Sequence, residues 1–177
     1  MQLKHSDRPQ ILIIGDSMTR RLSNILHSTI VSRPGATVQG LTYFLSSQSA
    51  PHLPSFGIVV LWVGTNNLRA PWDETQAAFI HLLQTITSAA PSAKVAVVSI
   101  LPRPRDLTSS RAWVIAANAW IRQTCRRRRL FYLAASHLFV KKGRVQEHLF
   151  ADGLHLNSAG AKKMSDFLTT RIRALFP

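Results

Sequence analysis

The sequence predicts an α/β fold in which a mostly parallel sheet is covered by helices on both faces. Short apolar runs alternate along the chain with stretches whose apolar residues recur every three or four positions, and this alternation is typical of βαβ units. The runs are dense in branched and aromatic residues, as strands buried on both faces are. With 177 residues, 46% of them hydrophobic, the chain is long enough to bury a substantial core. We interpret residues 1–177 as a single domain.

The strand predictions come from these apolar runs. Four are clear, and they lie at residues 11–15, 57–64, 94–101 and 129–134. A weaker fifth strand is predicted at residues 36–39, from the sequence ATVQ.

Amphipathic helices are predicted between and after the strands. Apolar residues at three- and four-residue steps indicate a helix over residues 73–89, with Asp73 as its N-cap. The same spacing recurs over residues 113–124 and again over residues 164–176, where Asn157 is the expected N-cap of the last helix.

Positive charge is concentrated in the second half of the chain. The whole sequence has 22 Lys and Arg against 8 Asp and Glu, for a net charge of +14. Residues 89–177 account for +12 of that net charge. Such a surplus indicates contact with RNA or with an anionic membrane surface, while a solvated face that only aids solubility is the alternative. The residues that would carry the contact are Arg126, Arg127, Arg128, Arg129, Lys141, Lys142 and Arg144.

Several protein classes are disfavoured by composition. Cys125 is the only cysteine, so there is no internal disulfide framework, and a reducing compartment suits the chain. The polar N-terminus leads into only four aliphatic residues, too few for a secretory signal, and no stretch resembles a membrane span. We therefore expect a soluble, intracellular protein, cytoplasmic in location. Two histidines plus a carboxylate at helical spacing are absent, and we expect no metal and no cofactor.

Four polar segments are predicted to reach one edge of the sheet. Gly15-Asp16-Ser17 follows the first strand directly, and the ligand crevice of an open α/β sheet lies beyond the carboxyl ends of its strands. Residues 33–40, 64–67 and 152–157 should lie at the same edge, in the first crossover, after the third strand and before the last helix.

These segments contain the groups that covalent ester hydrolysis requires. Ser17 is the candidate nucleophile, at the start of a helix whose N–H groups and dipole would favour negative charge. His155 is the candidate general base, and Asp152 can hold its other ring nitrogen. The candidate oxyanion donors are the backbone N–H groups of Ser17 and Gly35 and the side-chain amide of Asn66. Each motif alone is also common in ordinary turns, and only their combination is specific.

In order and placement the four segments resemble the SGNH hydrolases, also called the GDSL family, over positions 11–170. The resemblance implies a three-layer α/β/α sandwich with a five-stranded parallel, flavodoxin-like sheet. It also implies that Ser17, Gly35, Asn66 and His155 occupy the four name-giving positions and that Asp152 completes the triad. Met18 stands where the family has leucine and Asn67 where it often has aspartate, which bears on subfamily and substrate more than on chemistry. In the same block, Asp16 is expected to be structural, its carboxylate accepting backbone N–H bonds.

Within the family, the basic charge is similar to that of the esterase domains in the first open-reading-frame protein of LINE retrotransposons. The GTNN segment is similar to that of the platelet-activating-factor acetylhydrolase catalytic subunits. The main hypothesis is a serine esterase acting on small acyl esters, most simply acetyl esters. The alternatives are a binding module for nucleic acid or anionic membranes with little or no catalysis, and a phospholipid-cleaving enzyme that works at a membrane surface. Arg69 and Arg103, which follow strand ends, are candidates for binding an anionic substrate or are simply exposed.

Overall fold

A computed structural model describes residues 9–176. Its main sheet has five strands in the order β2-β1-β3-β4-β5, and every neighbouring pair is parallel. This is the predicted α/β architecture. The strands are β1 (Ile11–Gly15), β2 (Ser28–Ser32), β3 (Ile58–Trp62), β4 (Lys94–Val98) and β5 (Phe131–Leu133).

Helices cover both faces of the sheet. They are α1 (Val38–Leu45), α2 (Trp72–Ala89), α3 (Leu107–Arg127) and α4 (Ser158–Arg173). Alternate residues of β1 point to opposite faces: Leu12 and Ile14 pack with α1, α2 and α3, whereas Ile11 and Ile13 pack with α4. The central strands are therefore buried on both sides, which explains their uninterrupted apolar sequences.

The weak strand predicted at residues 36–39 is wrong. The edge strand is β2, at Ser28–Ser32, and its sequence STIVS is only partly buried, so no continuous apolar run marks it. Residues 36–39 instead lead into α1, because the Thr37 side chain accepts a hydrogen bond from the Gly40 N–H and caps that helix.

The ends of two helices test the capping predictions. Asn157 caps α4 as predicted, since its side chain accepts a hydrogen bond from the Gly160 N–H. The cap predicted for Asp73 is wrong: α2 begins one residue earlier, at Trp72 after Pro71, and Asp73 lies inside its first turn. There the carboxylate still faces the positive end of the helix dipole.

A short antiparallel ribbon after β5 was not predicted. It consists of β6 (Val140–Lys141) and β7 (Arg144–Val145), and it turns through Lys142 and Gly143, both with positive φ. Among the helices between residues 9 and 176, none is both long and apolar enough to cross a bilayer.

Candidate active site

The sheet order creates a crevice between β1 and β3. The chain moves from β1 outward to β2 and then returns to β3 on the other side of β1. In such sheets the ligand crevice lies where the order reverses, beyond the carboxyl ends of the two strands. Ser17 lies two residues beyond the end of β1 and Asn66 four residues beyond the end of β3.

Ser17, His155 and Asp152 form a continuous hydrogen-bonded chain. The Ser17 Oγ lies 3.0 Å from His155 Nε2, and His155 Nδ1 lies 2.8 Å from Asp152 Oδ2. An ionised carboxylate only accepts hydrogen bonds. The ring proton is therefore assigned to Nδ1, which leaves Nε2 free to accept the Ser17 proton.

The Asp152 carboxylate is held ionised by its own loop. Its Oδ1 accepts hydrogen bonds from the backbone N–H groups of Leu154 at 3.0 Å and His155 at 2.7 Å. Partial burial acts to raise the pKa of Asp152, but the side-chain and backbone hydrogen bonds from His155 and the Leu154 N–H outweigh it and hold that pKa well below its usual range. The acceptor for His155 Nδ1–H therefore stays charged at neutral pH.

Arg105 is a contact of this loop that sequence reasoning missed. Its Nη2 lies 2.9 Å from Asp152 Oδ2, its Nε donates to the Asp152 carbonyl at 3.2 Å, and its backbone N–H donates to the Gly153 carbonyl at 2.8 Å. Gly153 has φ +76, and a Cβ there would lie 2.8 Å from the Arg105 nitrogen. Arg105 thus braces the turn that carries Asp152. No local signal in the sequence around Arg105 links it to residue 152.

The Gly-Asp-Ser turn is specified by close packing and a buried carboxylate. A Cβ on Gly15 would lie 1.9 Å from the Trp62 carbonyl oxygen, so β1 and β3 approach too closely for any other residue. Asp16 is 1% exposed, and its Oδ1 accepts the Met18 N–H at 2.9 Å. Burial raises the pKa of Asp16 to about 7, against the lowering effect of hydrogen bonds from the Met18 and Gly64 N–H groups. Asp16 thus accepts backbone hydrogen bonds that shape the turn before Ser17, as its sequence position suggested.

The element after this turn differs from the prediction. Ser17 begins a five-residue 3₁₀ turn, Ser17–Arg21, and not an α-helix. The prediction that a helix dipole stabilises negative charge at Ser17 is therefore wrong, because so short a turn aligns few peptide units.

Gly35 and Asn66 lie in neighbouring loops at the same edge. Asn66 Nδ2 donates to the Ala36 carbonyl at 3.0 Å, directly beside Gly35, whose φ is +77. The Gly35 loop is in turn tied to the nucleophile turn, because the Arg33 N–H donates to the Gly15 carbonyl at 2.8 Å. Within residues 9–176, the backbone N–H groups of Ser17 and Gly35 donate to no acceptor.

Arg103 holds the turn after β3. Its guanidinium makes a two-point ion pair with Asp106, at 2.9 and 2.7 Å, and donates to the Thr65 carbonyl at 2.6 Å. Its side chain is 12% exposed, so its guanidinium is engaged and unavailable to an anionic substrate. Arg69, the other candidate, is exposed.

Comparison with known proteins places this geometry in a family. Residues 13–163 match the GDSL-like Lipase/Acylhydrolase family. The chain belongs to this family. Membership supports hydrolase activity on esters.

Relatives of the chain include enzymes and solved structures of the same family. The alpha1 subunit of platelet-activating factor acetylhydrolase IB from Bos taurus is 28% identical over 163 residues, which cover 86% of this chain and 70% of the relative. The esterase domain of the ORF1 protein of the zebrafish ZfL2-1 retrotransposon is 27% identical, with a TM-score of 0.53 and coverage of 94% and 99%. A GDSL-like lipase from Bacteroides thetaiotaomicron shares the fold, with a TM-score of 0.79, 14% identity and coverage of 99% and 93%.

One of the two departures from the GDSL pattern has a clear structural setting. Asn67 is fully buried; its Oδ1 accepts the Val38 N–H at 3.0 Å and its Nδ2 donates to Gln39 Oε1 at 2.9 Å. The amide therefore uses a donor that an aspartate would lack and links the turn after β3 to the start of α1. Met18, the other departure, is buried in the apolar cluster beneath α4.

The structure separates the two basic clusters of this GDSL-family chain. Arg126 and Arg127 end α3, and Arg128 and Arg129 precede the amino end of β5. The second cluster lies beyond the carboxyl end of β5 on the β6–β7 ribbon, and its members are Lys141, Lys142 and Arg144. All seven side chains are exposed, and along the chain the two clusters lie on either side of β5.

Proposed function

We propose that this chain is a serine esterase that hydrolyses short-chain acyl esters, most simply acetyl esters, through one domain spanning residues 1–177. The observation that carries the proposal is the pair of hydrogen bonds from Ser17 Oγ to His155 Nε2 and from His155 Nδ1 to Asp152 Oδ2. The lengths of these two hydrogen bonds suit proton transfer, and the three residues lie at the crevice where open α/β sheets bind ligands.

The first half of the proposed reaction forms an acyl-enzyme. Ser17 Oγ attacks the carbonyl carbon of the ester while its proton moves to His155 Nε2. The oxyanion is stabilised by the unpaired N–H groups of Ser17 and Gly35 and by the Asn66 amide. When the C–O bond to the alcohol breaks, the proton on Nε2 passes to the departing oxygen.

The second half releases the acid. Water gives a proton to Nε2 and attacks the acyl carbon. The second tetrahedral intermediate then collapses to a carboxylic acid, and as the bond to Ser17 Oγ breaks, the proton on Nε2 returns to that oxygen. Throughout, Asp152 stabilises the positive charge that forms on the imidazole and keeps the ring oriented.

A small ester is favoured by the size of the depression that adjoins the nucleophile and the base. The depression beside Ser17 and His155 has a volume of about 170 Å³, well below the range of about 300–1,000 Å³ typical of sites for drug-sized ligands. The name of the Bos taurus relative, an acetylhydrolase, agrees with an acetyl group.

Hydrolysis of p-nitrophenyl acetate, butyrate and octanoate tests this function. We expect activity that declines with chain length in the wild type and is lost in Ser17→Ala. Ser88→Ala, which removes an exposed hydroxyl at the end of α2, is the control and should behave as wild type. A folded wild type that hydrolyses none of the three esters would instead favour the binding module.

A second proposed function is contact with a polyanion. It is favoured because none of the seven basic side chains in the two clusters forms an ion pair with an acidic residue between residues 9 and 176. Unpaired basic residues on a surface attract phosphate-rich partners and release counterions when they bind. Together with the similarity to the zebrafish retrotransposon domain, this supports an esterase domain encoded by a retrotransposon that works beside RNA or an anionic membrane.

A further inference from the structure

We infer that Arg20 and Arg21 form a subsite for an anionic group on the alcohol portion of the ester. The preferred substrates would then be short acyl esters of alcohols that carry a phosphate or a carboxylate. This inference rests on the proposed esterase function and names the substrate class of the same site.

The two arginines are held close to the nucleophile with their charges free. Both lie on the 3₁₀ turn that begins at Ser17, three and four residues beyond it. Met18 and Thr19 are buried and anchor the turn, while Arg20 and Arg21 are exposed. Neither guanidinium forms an ion pair or a side-chain hydrogen bond with any residue between 9 and 176.

Both side chains line the depression that contains the catalytic histidine. Its other walls include Ser17, Asp152 and His155, whereas Gly35 and Asn66, the candidate oxyanion donors, do not line it. Because the histidine returns its proton to the departing alcohol, a depression on the histidine side of Ser17 would receive the alcohol portion of the ester.

The charge balance around this depression favours an anion. The Asp152 carboxylate is already engaged by His155 and Arg105. A second depression of about 590 Å³ adjoins the first, since Arg21 lines both, and its two other charges, Lys162 and Asp166, pair with each other at 2.7 Å. The charges of Arg20 and Arg21 therefore remain uncompensated among the described residues.

The chemistry of the guanidinium group identifies the ligand class. Its planar, forked N–H donors bind carboxylate and phosphate oxygens two at a time. An anion placed a few bonds from the scissile oxygen would reach these donors while the carbonyl stays at Ser17. Exposed charge pairs each contribute modestly, so two of them should favour the anionic substrate by about three- to tenfold in kcat/KM.

A matched pair of chromogenic esters tests the inference. The anionic substrate is 3-acetoxy-4-nitrobenzoate, whose leaving group carries a carboxylate, and the neutral one is its methyl ester. We expect the wild type to prefer the anion, through a lower KM, and the ratio of the two kcat/KM values to approach one in Arg20→Gln/Arg21→Gln. Arg20→Lys/Arg21→Lys should restore part of the preference. An analogue in which a phosphate replaces the carboxylate of the leaving group, measured in the same way, shows which of the two anions is preferred.

Arg171→Gln/Arg173→Gln is the control for loss of charge. It removes two exposed arginines from the last turn of α4, about 20 Å along that helix from its start near His155, and should keep the wild-type ratio. Equal kcat/KM for the two esters in the wild type, or an unchanged ratio in Arg20→Gln/Arg21→Gln, would overturn the subsite alone. Failure of the wild type to hydrolyse either ester would refute the proposed esterase function and the subsite with it.

Discussion

The buried carboxylate of Asp16 should make the stability of the protein fall as the pH rises through neutrality. Burial raises the pKa of Asp16 from 3.8 to about 7 in the folded protein, and the unfolded chain exposes the group to water. Between about pH 4 and pH 7 the folded state therefore holds a proton that the unfolded state has released. The free energy of unfolding decreases across this window, because each increment in pH favours the state with fewer bound protons.

The size of the effect follows from the shift. One pKa unit corresponds to about 1.4 kcal/mol, so a shift of about three units represents on the order of 4 kcal/mol of stability lost between pH 4 and pH 7. Asp16→Asn removes the titration and keeps an amide oxygen able to accept the Met18 N–H, although its NH2 group cannot accept the Gly64 N–H. We expect the variant to lack this pH dependence, so the stability of the wild type relative to the variant should fall by about 2–3 kcal/mol between pH 5 and pH 8.

Urea unfolding followed by circular dichroism at pH 5, 6, 7 and 8 measures this difference. Asp73→Asn, which removes an exposed carboxylate from the first turn of α2, is the control and should keep the wild-type slope. Parallel loss of stability in the wild type and in Asp16→Asn as the pH rises would refute the role of Asp16 in this pH dependence.

Three further predictions concern catalysis, packing and charge. Asn66→Ala should lower kcat by about 10²–10³, the usual effect of losing one oxyanion donor, and steady-state kinetics that show a change below threefold would remove Asn66 from that role. Gly160→Ala should lower the Tm markedly, because the new Cβ would lie 2.2 Å from the Leu149 carbonyl oxygen; an unchanged melting curve would contradict this packing. Neutralising Arg126, Arg127 and Arg128 together should flatten the salt dependence of binding to RNA or to anionic vesicles. Filter binding and vesicle sedimentation at two salt concentrations measure this dependence. If the wild type binds neither partner at low salt, the basic residues form only a solvated surface.

The fold was predictable wherever a strand is buried on both faces. β1, β3 and β4 appear as continuous apolar runs because helices cover both of their faces. The alternation of these runs with helical spacing indicated parallel connections. The edge strand β2 was not found, because partial burial permits polar residues such as Ser28 and Ser32. The strand predicted instead at residues 36–39 is wrong because the Thr37 side chain caps a helix there.

The candidate site was predictable where its residues belong to short local motifs. Ser17, Asn66 and the pair Asp152 and His155 each lie in a segment that follows a strand or precedes a helix, so topology brings them to one edge. The roles of Arg103 and Arg105 were not predictable in this way. Each acts on a partner far along the chain, Thr65 for the first and Asp152 for the second, and such contacts depend on tertiary packing that no local pattern records.

The most direct test of the proposed esterase mechanism is whether Ser17 reacts as an activated nucleophile. The protein is treated with a fluorophosphonate, which forms a stable adduct with an activated serine, and the modified peptide is identified by mass spectrometry. We expect one adduct, on Ser17, that is absent in Ser17→Ala and forms far more slowly in His155→Ala. Failure of the folded wild type to react, or labelling of a different serine at the same rate in Ser17→Ala, would contradict this mechanism.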